Sequence, residues 1–139
     1  MTAAEYNAMV IEEFRANEGR VGGVWEGTPL VLLHHTGAKS GMSRVNPVGY
    51  LPDEPRYLIF ASNGGAPSNP GWYHNLKAQP KARIEVGSQT IDVLAEEATG
   101  EERERLFARG AERFPDLAKH ARKTDRAIPV IVLTPLGGG

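Results

Sequence analysis

The sequence predicts an α+β fold in which an antiparallel sheet curls into a small barrel with helices grouped at its ends. Three observations carry this. Strand-length apolar runs are joined by short turns, which favours antiparallel pairing. Helical patterns do not alternate with every strand, so a βαβ sheet is disfavoured. About six short strands in so short a chain would expose their edges unless the sheet closed on itself.

The elements follow in order. Thr2-Ala3-Ala4-Glu5 is a capping-box pattern, and Tyr6, Met9, Val10 and Phe14 recur at helical spacing, so a helix is expected within 1–18, stopping near Asn17 to Gly19. Gly22-Gly23 and Gly27 mark a loose connection. Pro29 to Thr36 is an apolar strand, and Gly37 to Ser43 is a turn rich in Gly and Ser. Arg44 to Leu51 and Arg56 to Ser62 read as two strands joined by Pro52-Asp53-Glu54-Pro55. Asn63 to Pro70 is a polar loop, too long for a tight hairpin. Gly71 to Gln79 reads as a short helix stopped by Pro80, and 81–86 with 89–95 as a hairpin around Gly87-Ser88. Thr99-Gly100-Glu101-Glu102 is a second capping-box pattern, opening a helix toward Arg113. Pro115 to Lys123 is a further helix, Ala127 to Thr134 a closing strand, and 136–139 a frayed tail.

The 139 residues fit one domain, 1–139, and 40% hydrophobic with 24% charged residues suits a single packed core. A net charge of −1 argues against a nucleic-acid binder or a general membrane-surface binder. The absence of cysteine excludes disulfides, iron–sulfur clusters, cysteine zinc sites and thiol catalysis, and suits a reducing cytosol. No leader or membrane span is read, because the longest apolar runs, Leu30 to Leu33 and Ile128 to Leu133, are strand-sized. A cytoplasmic location is expected, with peripheral membrane contact by the first helix and the oligomeric state left open. The charge is uneven: residues 1–29 sum to −3, 30–84 to +4 and 85–139 to −2. A basic middle within a neutral chain points to a small anionic ligand, against the plainer reading of scattered surface charges.

Two segments could carry chemistry. In Thr36-Gly37-Ala38-Lys39-Ser40-Gly41-Met42-Ser43-Arg44, glycines let backbone N–H groups turn toward an anion. Lys39 supplies a point charge there, and Arg44 can grip a phosphate or carboxylate bidentately. The turn joins strands and lacks P-loop spacing, so the alternative is a hairpin turn with solvated basic residues. In the segment 61–76, small residues at a strand end allow close approach to the backbone, and Trp72 with Tyr73 could cover a planar ring. Trp72 and Leu76, four apart, equally suit core anchors. His34 and His35 face opposite sides of a strand, and His74 and His120 add no ligand spacing, so no metal site is expected. No G-x-S-x-G elbow is present, and the acids Glu101 to Glu104 sit on a solvated helix face.

These segments resemble the deazaflavin-dependent nitroreductase family of actinobacterial coenzyme F-420 enzymes, also described as F-420H2-dependent quinone reductases. The resemblance rests on Leu32-Leu33-His34-His35-Thr36-Gly37-Ala38-Lys39-Ser40-Gly41, Arg44-Val45-Asn46-Pro47, Ala61-Ser62-Asn63-Gly64-Gly65-Ala66, Asn69-Pro70-Gly71-Trp72-Tyr73-His74-Asn75-Leu76-Lys77-Ala78 and Thr124-Asp125-Arg126-Ala127-Ile128-Pro129-Val130. It implies a split β-barrel similar to the flavin-binding split barrels. It also implies that Ala38, Lys39, Ser40 and Arg44 hold the phosphate and anionic tail of coenzyme F-420, an 8-hydroxy-5-deazaflavin. Val45, Asn46, Pro47, Val48 and Gly49 would then lie along the coenzyme, Phe60, Ala61, Ser62 and Asn63 would meet the ring, and Gly71, Trp72, Tyr73, His74 and Asn75 would close over it.

The activity implied is hydride transfer from the reduced coenzyme to a quinone, nitro compound or similar conjugated acceptor. Ser62, by backbone or hydroxyl, is the group expected to stabilise developing charge, and His120 is the candidate proton donor. Nitroimidazole-activating relatives carry tyrosines in the helix before T-D-R, where this chain has Phe114, Leu117 and His120. Two alternatives stand beside this reading: an oxidoreductase using FMN on the same barrel, and a non-catalytic coenzyme carrier.

Overall fold

Thr2 closes the expected capping box in the computed structural model, which describes residues 1–136. Its hydroxyl accepts the Glu5 N–H, and the Glu5 carboxylate accepts the Thr2 N–H, both at 3.1 Å. Helix α1 (Ala3–Ala16) follows and buries Val10 and Phe14, while Met9, one of the four periodic positions, stays 47% exposed. The 3-10 turn Gly23–Trp25 lies in the Gly-rich connection.

The strands are β1 (Leu30–Thr36), β2 (Ser43–Gly49), β3 (Leu51–Asp53), β4 (Arg56–Phe60), β5 (Lys81–Val86), β6 (Gln89–Glu97) and β7 (Val130–Pro135). They form one sheet in the order β2-β1-β5-β6-β7-β4-β3, with every neighbouring pair antiparallel. The single strand expected over Arg44 to Leu51 is thus two. β2 pairs with β1, and β3, only one residue later, pairs with β4 at the opposite end of the order. The chain crosses at Tyr50, whose N–H bonds Pro29 O at 3.0 Å and whose ring meets Tyr57 edge-on at 5.4 Å. A sheet whose two end strands are joined by one residue must curl, and the result is the split barrel expected from the resemblance.

Alternation along the strands sorts three apolar clusters. Val31, Leu33, Ile59, Ile84, Val93 and Leu133 point into the barrel. On β1 the intervening Leu30 and Leu32 meet Val10 and Phe14 of α1. On β4 and β7 the intervening Leu58, Phe60, Val130 and Val132 meet α3 (Gly100–Arg113) and α4 (Pro115–Lys123) through Leu106 and Leu117. Burial on both faces explains why these strands read as continuous apolar runs rather than alternating ones.

Several boundaries differ from expectation. Thr99 occupies the N-cap of α3, but its side chain makes no capping bond, so the second capping box is not formed. The closing strand starts at Val130 rather than Ala127, because Pro129 has no N–H to donate and the Ile128 carbonyl accepts Arg103 Nη2 at 2.7 Å. β6 runs two residues past 95, where its partner β7 continues beside it. Of the expected tail, Leu136 donates its N–H to Asp92 O at 2.8 Å, and Gly137 to Gly139 lie outside the described residues. α3 approaches β4 closely at Gly110, where an added Cβ would lie 2.4 Å from the Phe60 ring; Gly110 leaves that ring its space. Helix α2 (Gly71–Ala78) then crosses beneath the barrel mouth, anchored in the core by Trp72 and Leu76. Among the described residues no helix is long and apolar enough to cross a membrane.

Candidate functional site

The turn between β1 and β2 is built by its own backbone and tied down from outside. Gly37 N–H bonds Met42 O at 2.8 Å, Gly41 N–H bonds Gly37 O at 2.9 Å, and Met42 N–H bonds the Ser40 hydroxyl at 3.2 Å. Ala38 N–H donates instead to the side-chain oxygen of Asn75 on α2, at 2.9 Å. The Asn75 amide donates in turn to His35 Nδ1 at 3.0 Å, and His35 Nε2 donates to the Asn46 side-chain oxygen at 2.7 Å. These partners fix the tautomer: Nδ1 accepts and Nε2 carries the proton, so the ring is neutral. His35 is 5% exposed, and burial holds its pKa below the ordinary histidine value despite the bond to Asn46, with Arg44 and His34 also opposing protonation. One buried imidazole therefore links β1, β2, α2 and the turn.

Around this turn opens a cleft of about 980 Å³. Its walls carry Ala38, Lys39, Ser40, Arg44, Asn46, Asn63, Gly71, Trp72, His74 and Asn75 from the predicted set, with His35, Gly37, Asn69 and Pro70 added. Two of these are cations and none is a carboxylate, so the potential in the cleft favours anions.

A second cleft, about 610 Å³, adjoins it across Asn63, Pro70 and Trp72, which line both. Pro47, Val48 and Gly49 from β2, Phe60 from β4 and Ser62 to Gly64 line it, together with Phe114, Leu117 and His120. Trp25, Thr28, Arg113, Pro115 and Asp116 complete it. These walls are mostly aromatic, aliphatic or backbone, which suits a flat conjugated ring with a few polar contacts at its edge. His120 is half-buried here, and its Nδ1 is buried with no hydrogen-bond partner among the described residues. Trp72, 9% exposed, packs in the core and also lines both clefts.

Three predicted residues line neither cleft. Val45 alternates away from Arg44 and Asn46 and packs toward α1. Ala61 is fully buried in the barrel core. Tyr73, one step round the helix from Trp72, donates its hydroxyl to Glu97 Oε1 at 2.7 Å; burial first, then that bond, pushes its pKa up to about 12. His34 points outward to Glu85 at 2.6 Å, as strand alternation requires. Among the described residues no group of three or more His, Asp or Glu stands together as metal ligands.

Sequence reasoning passed over His35 except as a metal ligand, and it gave no role to Arg126. The β-strand pattern shows which way His35 faces, but its partner Asn75 lies 40 residues away.

The chain matches the family model described as F-420H(2)-dependent quinone reductase over residues 7–135. It is 40% identical over 128 residues to an F-420H(2)-dependent quinone reductase of Mycobacterium tuberculosis, covering 87% of this chain and 84% of that one. Among solved structures it is similar to an F-420-H2 dependent reductase, with a TM-score of 0.70 and 40% identity, covering 76% of this chain and 93% of the other. It is also similar to a chain described as a domain-swapped dimer, with a TM-score of 0.72 and 35% identity over 95% of this chain and 99% of that one.

Proposed function

The chain belongs to the F-420H(2)-dependent quinone reductase family, and from that premise we propose that it binds reduced coenzyme F-420 and catalyses hydride transfer to a quinone. The observation that carries this is the pair of joined clefts: one with Lys39 and Arg44 and no carboxylate, the other walled by Phe60, Trp72, Phe114 and Leu117. An anionic tail fits the first and a flat ring the second, with Trp72 at the junction. The coenzyme's chemistry there would be donation of a hydride, one proton with two electrons, from C5, the quinone taking its second proton from His120 or water.

The protein's contribution is position and charge. Lys39 and Arg44, with the Ala38 turn held by Asn75, fix the anionic end. Val48, Gly49 and Phe60 would fix the plane of the ring, and the acceptor ring would stack on it beside Phe114 and Leu117. Ser62 lines the ring cleft, and its hydroxyl or N–H would donate toward negative charge arriving on an acceptor oxygen. His120 lines the same cleft and would pass a proton to that oxygen, with water as the alternative source.

FMN is the less favoured ligand because it brings one phosphate and no long anionic tail, leaving most of the 980 Å³ basic cleft unfilled. The test is anaerobic turnover: substoichiometric protein with F-420H2 and a small naphthoquinone, beside parallel reactions with reduced FMN. Quinone reduction dependent on F-420H2 over many turnovers is expected. Saturable coenzyme binding with no turnover on any quinone would instead make the protein a carrier.

A further inference from the structure

Resting on that reading, we propose that Arg126 is a positioning residue of the ring cleft, which holds the Ser62 loop in place through four acceptors and adds an uncompensated positive charge beneath it. Its guanidinium donates to Ser62 O at 2.9 Å, Ala61 O at 3.2 Å and Ala66 O at 3.1 Å, and also to the side-chain oxygen of Asn69. All of these lie at or within the ends of the loop that brings Ser62, Asn63 and Gly64 to the ring cleft. Arg126 itself lines neither cleft. It therefore acts through the loop and not on a ligand.

Three features separate this contact from ordinary loop anchoring. The acceptors are three carbonyls and one amide oxygen, engaged by Nε, Nη1 and Nη2 together, and only a guanidinium offers five donors in a fixed plane. The carbonyls of Ala61, Ser62 and Ala66 are thereby engaged by the guanidinium, which leaves the Ser62 N–H and hydroxyl as the groups that would meet negative charge in the cleft. Arg126 is half-buried and forms no ion pair among the described residues, so its charge is spent on neutral carbonyls and raises the potential at Ser62.

The loop is clamped from its other side as well. Gly65 has φ +84°, and a Cβ there would lie 3.1 Å from His120 O and 2.9 Å from the Lys123 side chain. The loop thus rests directly on the turn of α4 that carries His120. Arg126 on one side and α4 on the other thus fix the place of the Ser62 loop relative to His120, and both residues line the ring cleft.

The experiment compares Arg126→Ala, Arg126→Lys and wild type in four readouts: kcat with saturating F-420H2 and naphthoquinone, F-420 affinity by fluorescence, melting temperature, and amide exchange in coenzyme-free protein. A misplacement of the donor group costs about 10²-fold in kcat, whereas F-420 affinity, set by the untouched basic cleft, should change by less than about fivefold. Free guanidinium should restore at least about tenfold of the kcat lost in Arg126→Ala, and sodium chloride at equal ionic strength should not. Lysine keeps the charge but not the fork, so Arg126→Lys should remain below about a tenth of wild-type kcat. In coenzyme-free protein the Gly65 and Ala66 amides, which bond Ser62 O and Asn63 O, should exchange faster in both variants.

A folded Arg126→Lys with wild-type kcat would overturn the proposal, as would a kcat loss matched by the loss in affinity. If Arg126→Ala does not fold, the lysine variant and its exchange pattern decide alone. Failure of the reading beneath looks different: wild-type protein would then turn over no quinone, while the exchange comparison would still report whether Arg126 orders the loop.

Discussion

Asn75 accepts the backbone N–H of Ala38 at 2.9 Å, so helix α2 holds the turn between β1 and β2. Neither residue could be assigned this from its own neighbourhood, since 37 positions separate them. Replacing Asn75 with leucine removes the tie while keeping the helix. Coenzyme affinity should then fall about tenfold, or about 1.4 kcal/mol, with kcat little changed. Fluorescence titration of the variant measures this directly, and a variant that binds like wild type would show that the turn needs no external tie.

The same network makes a pH prediction. Burial depresses the His35 pKa, so the unfolded chain takes up a proton at this site before the folded protein does. The stability His35 contributes is therefore complete above its ordinary value of about 6.5 and is lost as pH falls through the lower folded value. Asp53, held down by Arg109 and Arg56, and Glu85, held down by Arg15, act in the same direction but only below about pH 4.5. Between about pH 7 and pH 5, then, the melting temperature should drop in wild type and drop less in His35→Gln. Parallel curves for the two proteins would place the titrating group elsewhere.

Trp72 offers a test of shared function. Trp72→Phe shrinks a side chain that belongs to the core and to both clefts, and should lower stability by about 1–2 kcal/mol. Affinity for F-420 should fall further than the shift in melting temperature accounts for. An affinity that is untouched in a destabilised variant would make Trp72 a core residue alone.

Much of this architecture was legible beforehand. Gly87-Ser88 lies at the hairpin between β5 and β6, the capping box at Thr2 starts α1, and the alternation of His34 and His35 places one toward Glu85 and the other toward Asn46. What was not legible depends on the closed shape. Nothing in the run from Arg44 to Leu51 announces a break at Tyr50, because the break arises only when the curled sheet brings its two ends together. Arg126 likewise meets Ala61 and Ser62 more than 60 positions upstream, a contact that no local pattern encodes. The family motifs marked both stretches without saying why they belong together.

The acceptor space has a testable chemistry. Phe114 and Leu117 line the ring cleft without a hydroxyl, and the titratable residues beside them are His120, Arg113 and Asp116. A quinone needs only stacking and protons from water or His120. Reduction of a nitroimidazole ring needs a proton delivered in a set direction, and general-acid help is worth about 10²–10⁴-fold. Steady-state assays should show naphthoquinone reduction with weak or absent nitroimidazole activation, and Phe114→Tyr should raise the second relative to the first. Equal turnover of both acceptors by wild type would mean that the missing hydroxyls are irrelevant.

The central claim is that the two joined clefts hold one ligand with a flat ring and a long anionic tail. Fluorescence titration of the protein with F-420 and, separately, with FMN tests it most directly, repeated for Lys39→Ala and Arg44→Ala at low and high salt. Each lost charge-assisted contact is worth about 1.5–3 kcal/mol, so F-420 should bind at one-to-one stoichiometry at least about tenfold tighter than FMN. That advantage should shrink in both variants and with rising salt. FMN binding as tight as F-420, or an F-420 affinity indifferent to both substitutions at low salt, would contradict the account.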